Sequence, residues 1–460
     1  MRDWLPDLGG GDRPRYLAIA DGIDADIRRG RLAPGDRLPP QRKLAARLGI
    51  DFTTVARGYV EAQKRGLIES RVGQGSFVRS APPRAVAALS RRGNPVDFAM
   101  NLPPEPHDPA LVERMRTGLE EIGRDLPALL RYQGFGGNPA DKDAASNWLG
   151  RRALVPSQDR LFVVPGAHAA LTAILCTLCE GGDAILCEDL TYPGIKAIAA
   201  QVGVGVIGLP MDDYGIDPDA LREACERHRP KALYLNPTLL NPTTVTIPEK
   251  RREAIARIAR RHGLPIVEDD AYGFIPQHGP PPFAAIAPDL TWHVAGLAKC
   301  IGAGLRIAYV VTPDVKSSWP FAAAVRAAAV MASPLTAALA TRWIEDGTAD
   351  QILRFVREET HARQAMATQL LPANAYLTDP LAFHVWLKLP KPWTRAGFVA
   401  RMRRTGIGVV AADAFAAGRT PPEAVRVCLG GAIDRGGCRR ALEYAAHILE
   451  QTPDSAGDEF

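Results

Sequence analysis

No stretch of this chain approaches the roughly 20 consecutive apolar residues that a membrane helix needs, which argues against a spanning segment. The start, Met1-Arg2-Asp3-Trp4-Leu5-Pro6, lacks the apolar core of a secretory signal, so the protein is expected in the cytoplasm. Cysteine is scarce and one-sided: seven residues, at 176, 179, 187, 225, 300, 428 and 438. An odd count with none in the N-terminal third is a poor basis for a disulfide framework. Cys176 and Cys179 form a C-x-x-C, but they sit in the apolar helical pattern Leu171–Leu178 with no second pair. They are expected to be a buried reduced pair, and no metal is assigned. An excess of charge is also missing from most of the chain. Residues 1–80 hold 15 Lys/Arg against 10 Asp/Glu, and the rest holds 41 of each. The whole net charge of +5 therefore lies in the first eighty residues, where a polyanion would bind.

What is present starts with size. At 460 residues, 46% hydrophobic and 23% charged, the chain is globular in composition and long enough for two or three domains. From Arg15 to Arg29, apolar residues recur with helical period at Tyr16, Ile19, Ala20, Ile23 and Ile27. A short helix Gln41–Leu48 follows a Pro/Gly turn and is closed by Gly49. After the turn Gly49-Ile50-Asp51, another helix runs from Phe52 or Thr53 to about Arg65. Two short helices joined by a tight turn make a helix-turn-helix. Two β-type runs around Gly73-Gln74-Gly75 then form a hairpin, the wing.

Four blocks carry a resemblance: Arg31-Leu-x-Pro-Gly-x-Arg-Leu-Pro, Arg42-x-Leu-Ala-x-x-Leu-Gly, Thr53-Thr-Val-x-Arg-x-Tyr and Gly66-Leu-x-x-Ser-x-x-Gly-x-Gly-Ser-Phe-Val. In this order they resemble the GntR winged-helix signature, which implies a DNA-binding domain over residues 1–80. Thr53 and Thr54, at a helix N-terminus, suit phosphate contacts. Arg57, one turn on, suits a base edge such as guanine, and Arg42 suits the backbone. Gly75 lets the wing approach closely. The family often has Arg where Phe52 stands, so one usual contact is missing or replaced. Residues 81–97 read as a linker.

Beyond the linker, β-type runs alternate with helical stretches: Leu161–Val164, Ala184–Cys187, Val206–Leu209, Ala232–Leu235, Pro265–Glu268, Thr291–Ala295 and Arg306–Val311, with helices such as Pro248–His262 between them. Such alternation predicts an α/β domain with a mostly parallel sheet, whose ligands gather beyond the strand C-termini. Three blocks fall at those loops: Asn236-Pro-x-x-x-Asn241-Pro-Thr, Asp269-Asp270-Ala271-Tyr272, and Gly296-Leu-Ala-Lys299 followed by Gly304-Leu-Arg306. In chain order they resemble fold-type I aminotransferases. The pairing with a GntR-type domain resembles the MocR family of regulators. A large pyridoxal-phosphate domain at 98–335 and a smaller α+β domain at 336–460 are thereby implied.

The resemblance assigns roles to single residues. Lys299 would form a Schiff base with the aldehyde of pyridoxal 5'-phosphate. Asp269 would keep the pyridine nitrogen protonated, with Asp270 as the alternative for that role. Asn241 and Tyr272 would meet the ring's phenolic oxygen, and Tyr192 would stack on its face. Ala167 and His168 open a helix suited to the phosphate, which Arg306 would pair. Tyr132 would reach the partner subunit's phosphate, and Arg426 would grip a substrate or effector carboxylate. Two departures stand out: Gly296-Leu297-Ala298-Lys299 lacks the family's two serine hydroxyls, and Ala303 replaces its usual proline. Gly134-Phe-Gly-Gly137 is phosphate-like but lacks a following Lys-Ser/Thr and reads as a loop. The expected function is a ligand-responsive transcription regulator, a domain-swapped homodimer on operator DNA, with an amino acid, an amine or the cofactor itself as effector. A working aminotransferase with a fused DNA-binding domain is the alternative, so enzymatic turnover is left open.

Overall fold

Asp51 begins the third helix by accepting the Thr53 amide on its side chain, 2.7 Å away, while Gly49 ends the second with a left-handed backbone. This punctuation separates α1 (Arg15–Arg28), α2 (Gln41–Leu48) and α3 (Phe52–Lys64), all close to the predicted bounds. The wing is an antiparallel pair, β1 (Ile68–Arg71) and β2 (Gly75–Val78). Ile19 and Ile23 of α1, Leu44 of α2, Val55 and Tyr59 of α3, and Ile68 and Val78 of the wing share one core. The Tyr59 hydroxyl donates to the Pro39 carbonyl at 2.8 Å, so its buried polar tip is satisfied.

The computed structural model describes residues 4–6, 14–28, 31–33, 35–65, 67–71, 75–78, 100–404, 409–418 and 420–451. The expected linker at 81–97 and the hairpin tip Gly73-Gln74 lie outside them. The chain divides into two compact units, Met1–Asn94 and Pro95–Phe460.

The second unit is built on a seven-stranded sheet of β3 (Leu161–Val164), β4 (Ala184–Glu188), β5 (Gly205–Leu209), β6 (Leu233–Leu235), β7 (Ile266–Asp269), β8 (Thr291–Gly296) and β9 (Ala308–Val311). Their spatial order is β3-β9-β8-β7-β6-β4-β5. All neighbours pair in parallel except β9, which is antiparallel to both β8 and β3. Both faces are covered, as near-continuous apolar strands require. In β3, Leu161 and Val163 enter one core while Phe162 and Val164 enter another.

A four-stranded antiparallel sheet follows, β10 (Tyr376–Leu377), β11 (His384–Lys388), β12 (Val410–Ala411) and β13 (Ala424–Cys428), in the order β10-β11-β13-β12. Val385, Leu387, Val425 and Val427 pack there against Phe398 and Leu442. The expected start of this region at residue 336 falls inside helix Pro334–Glu345, whose Leu339, Ala340 and Trp343 join the core of the large sheet. The change of core comes later, within helix Thr348–Leu370: Ile352, Leu353 and Val356 pack on the large sheet, Met366 and Ala367 on the small one. A helix long enough to serve two cores left no break in the sequence to mark the transition.

All seven cysteines are free thiols. Cys176 is exposed, against the expected buried pair, because helix Ala167–Leu178 buries 170, 171 and 173–175 and turns residue 176 outward. Cys179 is half-buried, and desolvation pushes its thiol up to about 11.

Candidate functional site

The cavity that gathers the predicted residues lies at the C-terminal ends of the parallel strands. Asp269 ends β7, Gly296 ends β8 with Lys299 in the turn beyond, and Asn236 follows β6. Helix Ala167–Leu178 starts just after β3. Arg306 comes in from the start of β9, the one strand running the other way. The cavity has a volume of about 410 Å³, and Ala167, His168, Tyr192, Asn241, Asp269, Tyr272, Lys299, Arg306 and Arg426 all line it. Tyr132 does not, and is 82% exposed.

The side chains are held in a connected network. Lys299 Nζ donates to the Asn101 carbonyl, and burial pushes this amine down to about 8. Asn101 Nδ2 donates to the Tyr272 hydroxyl at 2.7 Å and lies 3.2 Å from His384 Nδ1. The Tyr234 hydroxyl donates to Asp269 Oδ2 at 2.8 Å. Asp269 Oδ1 is buried and has no hydrogen-bond partner among the described residues. Burial pushes the Asp269 carboxyl up to about 6, against the Tyr234 hydrogen bond, which lowers it. Asn236 Nδ2 donates to the Asp269 carbonyl at 2.7 Å, and its Oδ1 accepts the Asn241 amide at 3.1 Å. Arg426 Nη1 donates to Asn241 Oδ1 at 2.8 Å. His168 Nε2 lies 2.6 Å from the Tyr192 hydroxyl, and burial and then Arg306 hold the imidazole below its ordinary range. Gly166 has φ +87°, and a Cβ there would sit 3.4 Å from the Arg306 guanidinium. Glycine therefore suits both the turn and the close packing.

Strand alternation separates Asp269 from its acidic neighbours. Glu268 pairs with His293 Nδ1 at 3.0 Å and with Arg252 at 3.6 Å, and Asp270 faces Arg152 at 3.4 Å. Neither lines the cavity. Sequence reasoning missed Asn101, Tyr234 and Phe415. Tyr234 left a trace, a lone hydroxyl in an otherwise aliphatic strand. Asn101 and Phe415 left none, because only long-range folding brings them to the cavity.

In the N-terminal unit Arg42 and Arg57 are carried on α2 and α3, and both are exposed. Arg57 lies 4.3 Å over the Tyr16 ring, and Arg42 lies 5.8 Å from the Phe52 ring. Aromatic faces thus support both cations. Thr53 differs from expectation: both its amide and its hydroxyl are engaged by Asp51 Oδ1, because Asp51 is the helix cap. Thr54 is half-buried. Gly75 has φ +109°, a conformation side-chain-bearing residues rarely adopt.

Residues 15–78 match the family of bacterial regulatory proteins, gntR family, and residues 94–444 match aminotransferase class I and II. The chain belongs to the MocR type of GntR-family transcription regulators. The uncharacterized HTH-type transcriptional regulator YdeF of Bacillus subtilis is 30% identical over 428 residues, 92% of each chain. The probable rhizopine catabolism regulatory protein MocR of Rhizobium meliloti is 28% identical over 331 residues, 66% of each. Among solved structures, the alpha-aminoadipate aminotransferase LysN of Thermus thermophilus superposes with a TM-score of 0.70 at 22% identity. The match covers 85% of the regulator and 98% of the aminotransferase, and the two share the fold. No described helix of the regulator is long and apolar enough to cross a membrane.

An aminotransferase-like domain implies pyridoxal 5'-phosphate, and the residues present fit that cofactor. The partnerless Asp269 Oδ1 is an acceptor waiting for a donor such as a protonated ring nitrogen. The start of a 12-residue helix and the Arg306 guanidinium suit a phosphate. Lys299 supplies the only amine in the cavity wall among the described residues.

Proposed function

We propose that this regulator carries pyridoxal 5'-phosphate covalently on Lys299, and that an amino acid, an amine or the cofactor itself changes its hold on DNA. The observation that carries the reading is the convergence of Lys299, Asp269, Tyr192 and Arg306 on one cavity in a chain that also bears a winged helix. The cofactor supplies an aldehyde for amines and an electron-withdrawing ring. The chain supplies the rest. Asp269 holds a proton at the ring nitrogen, Tyr192 covers the ring face, and Asn241 and Tyr272 orient its phenolic oxygen. Ala167, His168 and Arg306 hold the phosphate, and Arg426 receives a carboxylate.

On the DNA side, Arg57 would read a base edge while Arg42, Thr54 and the wing at Gly75 would fix the backbone. Thr53 would contribute through the helix terminus it helps to close. The domain limits 1–80, 81–97, 98–335 and 336–460 belong to this reading, with the last boundary best taken inside helix Thr348–Leu370. The reading includes a homodimer in which Tyr132, exposed on the single chain, would meet the partner's phosphate. A two-fold pair would present two half-sites, and an effector acts only if it binds the two arrangements unequally.

The test combines footprinting, with and without pyridoxal phosphate and amino acids, and light scattering for mass. A footprint that spans two half-sites and changes with ligand supports the reading. A monomer, or a single half-site under all conditions, overturns it. As the amine in the cavity wall among the described residues, Lys299 would also move the proton in any transamination. Steady-state turnover with a panel of amino acids measures it.

A further inference from the structure

We infer that the effector taken up beside Arg426 is an α-amino acid with an uncharged, apolar side chain, and that dicarboxylic and basic amino acids are disfavoured. The inference rests on the reading of the cavity as a pyridoxal-phosphate site with Arg426 as the carboxylate holder.

The charges in the wall are few, and each has a task. The cationic side chains lining the cavity are Lys299, Arg306 and Arg426, together with the imidazole of His168. Lys299 meets the aldehyde, and Arg306 lies against Gly166 at the phosphate end. Arg426, hydrogen-bonded to Asn241, meets the α-carboxylate. His168 is tied to the Tyr192 hydroxyl. A second carboxylate on the effector would therefore meet no further cation of this chain among the described residues. Asp269 is the only carboxylate in the wall among those residues. Tyr234 occupies one of its oxygens, and the ring nitrogen needs the other. A basic side chain meets no free counter-charge of this chain among the described residues either, and a charge that loses water without gaining a partner is disfavoured.

Apolar groups stand beside Arg426 along one side of the cavity. The Phe415 ring lies 5.2 Å from its guanidinium carbon, and Val410 stands opposite it in register across β12 and β13. Ala414, Pro193 and Met100 add apolar surface to the cavity wall. Met100 is 58% exposed, so apolar surface continues to the mouth. An aliphatic side chain would cover this surface, whereas a charged one would lose hydration against it.

The experiment uses the full-length protein loaded with pyridoxal phosphate and titrated with L-leucine, L-methionine, L-glutamate and L-lysine, following the cofactor absorbance. Leucine and methionine are expected to half-saturate at least about tenfold below glutamate and lysine. Val410→Arg should narrow or reverse the preference against glutamate. Arg426→Ala should lose the response to all four while keeping borohydride-reducible absorbance, which shows that the cavity is still folded. Glutamate or lysine preferred by the wild type, with the response still dependent on Arg426, overturns this inference and leaves the site reading intact. No response to any of the four, or an unchanged response in Arg426→Ala, overturns the effector reading and this inference with it.

Discussion

The Tyr234 hydroxyl holds Asp269 Oδ2 at 2.8 Å, and the other oxygen of the same buried carboxylate has no partner among the described residues. The group is half satisfied, and its carboxyl is raised from 3.8 to about 6. A carboxyl raised on folding contributes stability at low pH and loses it as pH climbs through about 6. At neutral pH the cofactor-free protein therefore carries a penalty of up to about 3 kcal/mol, the free-energy equivalent of that shift. Asp269→Asn should raise the melting temperature of the cofactor-free protein at pH 8, with a smaller gain at pH 5. The same variant should bind pyridoxal phosphate at least about tenfold more weakly, since a neutral amide does not hold the ring nitrogen's proton. Equal melting temperatures at both pH values would show that Asp269 is not strained in the cofactor-free state.

Lys299 makes the opposite excursion, from 10.5 down to about 8. Its neutral, nucleophilic form is therefore available above about pH 8 instead of near the ordinary lysine value. The rate at which cofactor-free protein captures pyridoxal phosphate should climb with pH and level off above about 8. Lys299→Ala should lose the borohydride-reducible absorbance while melting no lower than the wild type. Reducible absorbance that persists in the variant would place the bond on another amine.

Arg57 and Arg42 should separate on DNA. Arg57→Ala is expected to weaken operator binding by roughly 1–3 kcal/mol and to relax base preference. Arg42→Ala should weaken all sequences about equally and flatten the salt dependence. Titrations of operator and scrambled duplex over a range of salt concentrations check both. Indifference of the full chain to DNA at low salt would remove Arg42 and Arg57 from the interface.

Gly58 lies in α3 where a Cβ would meet Ile19 Cβ at 2.9 Å and the Tyr16 carbonyl at 3.1 Å. Gly58→Ala should push α3 away from α1 at a cost of about 1–3 kcal/mol to the N-terminal unit. DNA affinity is expected to fall while cofactor absorbance is unchanged, because the second unit has its own cores. A parallel loss of cofactor would show instead that the two units fold as one.

Much of this was legible in the sequence because it is local. The period of α1, Gly49 at the end of α2 and the apolar runs of β3 to β9 each depend on neighbouring residues, and each element lies within a residue or two of its expected place. The loops that follow β7 and β8 likewise announce Asp269 and Lys299. Other features needed the folded chain. Asp51 takes up Thr53, which the composition of that turn did not reveal. Strand alternation sends Glu268 and Asp270 toward His293 and Arg152, leaving Asp269 alone in the cavity wall among the described carboxylates. Asn101 and Phe415 reach the site from distant parts of the sequence, and helix Thr348–Leu370 carries one core into the next without a break. Short-range patterns specify elements and the residues at their ends. Which side chains share one enclosed volume, and which charges are left there without partners, is decided only when distant segments exclude water together.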